Sequence, residues 1–282
     1  MAGVRFVADS TADLEPDYRA AKAILTVPLK VIFGDETLVD GVDIDAPGFY
    51  KRMRASDRNP TTSQPTPAEF EVAFRQAGAT GDTVICTTMS GAMSGTHGAA
   101  VTARAALSEL DIRVIDTRTV AIGHYAIVKA AVARREAGGD ADAVVAEIED
   151  VMHRQRSIFT VATLEYLRRG GRIGGAQALL GSVLNIKPVL QVLDGRIEPH
   201  DKVRTNQRAL ERIGDELISA AGESGRKAWA VVAHGDRPDD ADLLARRVAP
   251  HCAEPPSVNW IGPVVGCHAG PGIVGMSFHL VQ

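Results

Sequence analysis

Short apolar runs rich in β-branched residues recur along the chain, and segments with helical spacing separate most of them. "VRFVA" (4–8), "TVPLKVIF" (26–33), "TVICTT" (83–88) and "IRVIDT" (112–117) read as strands. Between them, "TPAEFEVAFRQA" (66–77) places Phe70, Ala73, Phe74 and Ala77 at i, i+3, i+4 and i+7, the buried stripe of a helix. Thr66 and Glu69 form the sequence signature of a capping box, with Pro67 at the first helical position. "VAIGHYAIVKAAVARREAGG" and "DADAVVAEIEDVMHRQR" predict two consecutive helices broken at Gly138-Gly139.

Near Ser157 the texture changes. "SIFTVAT", "KPVLQVLDG", "RIEPHDKVR", "AWAVVAHG" and "GMSFHLV" follow as strands, with a hairpin turn expected at Asp194-Gly195-Arg196. The alternation argues for an α/β protein, divided into an N-terminal unit, 1–156, and a C-terminal unit, 157–282.

Composition removes several function classes. A formal net charge of −4 offers no basic surface, so nucleic-acid binding has no electrostatic footprint. Cys86, Cys252 and Cys267 show no CxxC spacing and suit a reduced, cytoplasmic setting. The N-terminal stretch lacks the apolar core of a signal peptide, and no apolar run is long enough for a bilayer, so no integral membrane association is expected. No HExxH or paired Cys/His pattern supports a metal.

Four loops carry chemical content. "VADSTADL" puts Asp9, Ser10, Thr11 and Asp13 at a strand end, where they could hold a metal, position a hydroxyl or simply cap the next turn. "NPTTSQPTP" offers Thr61, Thr62 and Ser63 on a backbone restricted by prolines: a hydrogen-bonding clamp, or a capping loop. "TTMSGAMSGTHGAA" (87–100) leads from strand to helix through hydroxyls and glycines, exposing helix-start amides suited to an anion. It is neither a Walker A loop nor a GxSxG elbow, and Ser94 could equally be a helix cap. The fourth is split between "LRRGGRIGGAQALLGSVLNIKP" and "IGPVVGCHAGPGIVG", with Arg168, Arg169 and Arg172 in one half and His268 in the other. The arginines could bind an anion, face a partner or sit solvated; His268 taken alone reads as structural.

Taken in order, "ADSTADL", "PTTSQPTP", "SGAMSGTHGAA", "DTRTVAIG", "LRRGGRIGGAQALLGSVLNIKPVL", "DGRIEPHDKVRT" and "GPVVGCHAGPGIVG" resemble the DegV family of bacterial lipid-binding proteins. The resemblance spans nearly the whole chain. It implies two α/β domains with one long-chain fatty acid, palmitate- or oleate-like, in a tunnel between them, and no cofactor. Thr62 and Ser94 match the positions that meet the carboxylate, with Asn185 and His268 as supporting groups. Thr61 and Ser63 neighbour the head group without a separate contact. "HGA" at 97–99 replaces a common Tyr-Gln-Ser, which bears on chain-length preference.

By the same resemblance the chain is a non-catalytic subunit that presents its fatty acid to a separate fatty acid kinase. Arg168, Arg169, Arg172, Lys202 and Arg204 are then candidates for the partner surface. Two alternatives stand beside this: a serine hydrolase or acyltransferase using Ser94, His268 and either Asp9 or Asp116, and a lipid sensor without a kinase.

Overall fold

The computed structural model describes residues 3–56, 59–180 and 186–281, and sorts their strands into three sheets. β1 (Val4–Asp9) and β2 (Ile24–Val27) open the first. β3 (Lys30–Phe33), β4 (Glu36–Val39) and β5 (Thr61–Ser63) then form a small antiparallel sheet in the order β4-β3-β5. β6 (Thr83–Thr88) and β7 (Ile112–Asp116) return to the first sheet, which is parallel throughout in the order β2-β1-β6-β7. Every residue of β6 is buried, as expected of a parallel strand covered on both faces.

The remaining strands are β8 (Arg156–Thr160), β9 (Lys187–Leu193), β10 (Arg196–Val203), β11 (Ala228–His234), β12 (Ser257–Trp260) and β13 (Val274–Leu280). They build a six-stranded sheet in the order β10-β9-β8-β13-β11-β12. All its pairs are antiparallel except β11 with β12. The predicted hairpin is present: β9 turns into β10 through Asp194, at φ 50°, and Gly195, at φ 77°.

The expected continuous strand over 26–33 is two strands in different sheets. Pro28 lacks an N–H for a ladder, and the next amide, Leu29 N, donates to Ser10 Oγ instead. The helix Pro67–Ala77 carries its capping box as expected, and its four stripe residues are buried.

Two helices, Ile122–Glu136 and Ala141–Arg154, separate the two larger sheets. Ile122, Tyr125, Ile127, Val128 and Val132 share one core with Phe6 and Ile85 of the first sheet and Phe159 and Val231 of the second. A helix packed on both sides has no polar face to spare, which is why "IGHYAIV" shows little amphipathic period. Apart from Lys129, its charged residues lie in the last turn, where the helix end favours the cations Arg134 and Arg135.

Candidate functional site

The short strand β5 decides which hydroxyl of the threonine-serine stretch faces inward. Expected as a loop, 61–63 instead pairs with β3, Thr62 opposite Val31 and Ser63 opposite Lys30. Side chains alternate along a strand, so Thr62 points opposite to its neighbours. Thr62 lines an internal slot; Ser63 Oγ donates instead to the Gln64 carbonyl, 3.3 Å away. Gln64 packs its side-chain amide over Gly95, which brings β5 against the serine loop.

Thr62 Oγ1 lies 2.8 Å from His268 Nε2, a contact across 206 residues of sequence. His268 stands on the helix Pro263–Ala269, which ends at Gly270 in a φ of 76° beneath the Tyr166 ring. Its Nδ1 is buried without a partner among the described residues and sits over Gly170, where a β-carbon would come within 2.2 Å. Burial, and secondarily the Arg172 cation, push the imidazole down to about 4, so the ring is neutral near neutral pH. In the tautomer protonated on Nε2 the ring donates to Thr62 Oγ1, which leaves the threonine O–H to donate into the slot.

Ser94 Oγ lies 2.9 Å from Thr96 Oγ1 and accepts from Thr96 N at 3.3 Å. Its loop leaves β6 and enters the helix Thr96–Ala105, whose N-cap is Gly95 rather than Ser94. Arg172, expected with the other cations, lines the slot; its Nε donates to Met93 O at 3.0 Å and its Nη1 to Gly170 O at 2.6 Å. It therefore braces the serine loop against the glycine that makes room for His268.

Behind these groups the slot is apolar. Met89, Ile122, Phe159, Leu167, Ile261 and Val264 are among its walls, and it encloses about 840 Å³ of empty space, mouth included. Hydroxyl donors, with the Arg172 cation beside them, thus stand at the edge of a hydrocarbon-lined space, an arrangement that accepts an amphiphile with an anionic end.

The other expected groups separate. Arg168 and Arg169 lie on the helix Glu165–Arg169 and share one carboxylate: Arg168 Nη2 and Arg169 Nε reach Glu165 Oε1 at 2.8 and 2.5 Å. Together they hold the Glu165 carboxyl down to about 2. Lys202 and Arg204 are exposed on and just beyond β10, with no ion pair among the described residues. Asn185 lies outside the described residues.

The carboxylates that a serine triad would need are occupied elsewhere. Asp9 Oδ1 accepts from Thr11 N and Thr11 Oγ1, and Oδ2 from Met89 N, so it caps a turn and tethers the serine loop. Asp116 accepts from Gly91 N and Arg118 N. No described hydrogen bond joins Ser94 to His268, or His268 to either carboxylate. Among the described residues no group of three or more His, Cys, Asp or Glu side chains is placed to hold a metal. No described helix is long and apolar enough to cross a membrane.

The family model for uncharacterised proteins of the DegV family matches residues 4–280. The chain belongs to the DegV family. A DegV domain-containing protein of Streptomyces coelicolor is 39% identical over 277 residues, 97% of each chain. Among solved structures, a Thermus thermophilus DegV family protein described by its fatty acid binding superposes with a TM-score of 0.93 at 34% identity, covering 99% of this chain and 100% of that one. A stearic-acid-binding protein from Eubacterium ventriosum superposes at 0.88 with 26% identity, over 99% and 98% of the two chains. The mixed α/β architecture expected from the strand and helix pattern is that of these DegV structures.

The sequence reading named Arg172 only together with Arg168 and Arg169 and passed over Gly170, because "RRGGR" carries no periodicity to distinguish the inward arginine from its neighbours. Thr96, the partner of Ser94, was legible beside it as a second helix-start hydroxyl.

Proposed function

We propose that this protein binds one long-chain fatty acid, of palmitate or oleate size, with its chain in the apolar slot and its carboxylate at Thr62 and Ser94. The observation that carries this reading is the joining of a hydrocarbon-lined slot to a hydrogen-bonding corner of hydroxyls and a neutral histidine, with Arg172 beside it. The fatty acid binding named for the Thermus relative and the stearic acid named for the Eubacterium one support it. Burial contributes about 0.8 kcal/mol per methylene, so a dozen methylenes supply about 10 kcal/mol before ordering costs. The corner then needs only to orient the head group and replace lost water, which hydroxyls can do without a dedicated cation.

On this reading the chain divides into 1–156 and 157–282, a boundary at the first residue of β8, because β1, β2, β6 and β7 build one large sheet and β8 to β13 the other. The protein serves in the cytoplasm as the binding subunit of a fatty acid kinase. The partner transfers the γ-phosphoryl of ATP to a carboxylate oxygen and releases ADP. Lys202 and Arg204, exposed and without described ion pairs, are the cations best suited to steer an acidic partner. Arg172 instead connects the partner side to the head group, and Arg168 and Arg169 are secondary because Glu165 offsets them. The hydrolase reading lacks an assembled triad, and the lipid-sensor reading shares the site without the kinase.

Mass spectrometry of lipid extracted from the purified protein is the direct test. Stoichiometric fatty acid, with a rise in melting temperature when palmitate is added to delipidated protein, is expected. A lipid-free preparation that does not respond to palmitate or oleate overturns the reading. Charge reversal at Lys202 and Arg204 should slow acyl phosphate formation by a cognate kinase, most strongly at low salt, while palmitate affinity stays unchanged. Unaltered turnover removes these two residues from the partner surface.

A further inference from the structure

A second cavity lies against one flank of the slot. It encloses about 720 Å³ of empty space, mouth included, between Thr117, Thr119, Met152, His153 and the β9 end at Leu193 and Asp194. Ser157 and Val192 belong to the walls of both spaces. They face each other across the β8–β9 ladder, so the partition is one residue pair thick. Ser157 makes no hydrogen bond to the head-group corner: its described partner is Ser277, not Thr62, Ser94 or His268. β13 begins at Val274, shortly after His268, and pairs Val274 with Thr160 but Ser277 with Ser157, roughly 10 Å further along the strand.

This partition is polar where an acyl tail alone would call for hydrocarbon. Ser157 Oγ donates to Ser277 Oγ at 3.1 Å, and Ser277 Oγ donates on to Gln155 Oε1 at 3.4 Å. Ser157 thereby spends its proton inward and keeps its oxygen as an acceptor. Thr119, 3% exposed, has a hydroxyl with no partner among the described residues. The two hydroxyls converge beside Gly123: a β-carbon there would lie 2.1 Å from Thr119 Oγ1 and 2.7 Å from Ser157 Oγ. Gly123 follows Ile122, a residue of the slot wall. A buried hydroxyl left unpaired is costly, and each one calls for an explanation, such as a water, an ion or a ligand group that meets it.

We propose that this polar partition receives a hydroxyl borne on the distal part of the acyl chain, so that the ligands of this protein include hydroxylated long-chain fatty acids. The inference rests on the fatty-acid reading above. A ligand hydroxyl at the partition donates to Ser157 Oγ and accepts from Thr119 Oγ1, and each atom has that capacity free. The adjoining chamber gives the substituent room that a closed hydrocarbon end would deny it.

The test is calorimetric titration of delipidated protein with palmitate against 16-hydroxypalmitate, and stearate against 12-hydroxystearate. At least one hydroxy acid should bind within about threefold of its parent, because its hydroxyl is matched. In a wall without partners it would bind roughly 10- to 100-fold more weakly. Thr119→Val, close to isosteric, should weaken that hydroxy acid about fivefold and leave the parent acid unchanged, with Thr119→Ser restoring it. Ser157→Ala should act in the same direction and serves should the Thr119→Val chain fold poorly.

The proposal is overturned if both hydroxy acids bind tenfold or more weakly than their parents. It is also overturned if the substitutions weaken parent and hydroxy acid alike, the result expected of a merely structural or water-filled partition. Failure of palmitate and stearate themselves to bind would strike the fatty-acid reading first, and the proposal with it.

Discussion

The head-group corner and the arginine helix beside it use similar polar residues to opposite effect. At the corner, Thr62, Ser94 and His268 are few, mostly enclosed and neutral, and each contact is fixed by a backbone element from a different part of the chain. On the helix Glu165–Arg169, three full charges lie within five residues, yet the two arginines are more than half exposed and satisfy each other through one carboxylate. Water and salt discount the second arrangement, whereas burial magnifies the first. Charge density in sequence is therefore a poor guide to where this protein concentrates its electrostatics.

The comparison should show most clearly with pH. His268 is pushed down to about 4 in the folded protein from an ordinary value near 6.5. The unfolded chain therefore binds more protons between those values, and stability present above pH 6.5 falls as pH drops toward 4. The loss is of the order of 3 kcal/mol across the window. His279, also pushed down to about 4 by burial, adds to the wild-type slope. Urea unfolding at pH 7 and pH 4.5 should thus show a drop that His268→Gln reduces but does not abolish. An identical drop in the variant would place the pH sensitivity elsewhere.

Thr62→Ala removes the donor and strands His268 Nε2. Palmitate affinity should fall by about 1.5–3 kcal/mol, and methyl palmitate affinity by less, because only the acid presents a charged acceptor. Equal losses for acid and ester would reduce Thr62 to a shaping residue.

Gly170→Ala probes the same corner through packing. Its methyl group would meet His268 Nδ1 and displace the ring, at a cost of about 1–3 kcal/mol in unfolding free energy. An unchanged melting temperature would mean that the loop yields without disturbing the Thr62 contact.

The smallest effect belongs to the arginine helix. Arg168→Gln with Arg169→Gln should leave both the thermal midpoint and palmitate affinity indistinguishable from wild type. A clear loss in either would show that the exposed triad supports the slot after all.

Local physics was legible where it acts over a few residues. The capping box at Thr66 and Glu69, the stripe through Phe70 and Phe74, the break at Gly138-Gly139 and the hairpin at Asp194-Gly195 follow from backbone preferences and spacing. The ordered loop motifs likewise marked the DegV family. Pro28 signalled an interruption that the apolar run around it concealed, because a proline's missing donor matters only once a ladder has a direction.

Only the tertiary structure decided which of those residues meet. Thr62 joins His268 because β5 pairs with β3 and turns alternate side chains outward, a matter of register that three consecutive hydroxyls cannot encode. Arg172 turns into the slot while Arg168 and Arg169 stay outside, since the helix ends at Arg169 and the glycines after it redirect the chain. Asp9 and Asp116 lie in stretches that look catalytic in sequence, but backbone amides, both nearby and across the fold, claim their oxygens. Sequence by itself determined the elements and the family. Long-range pairing determined the chemistry of the site, because a hydrogen bond across 206 residues depends on two backbones arriving together and leaves no periodic trace in either.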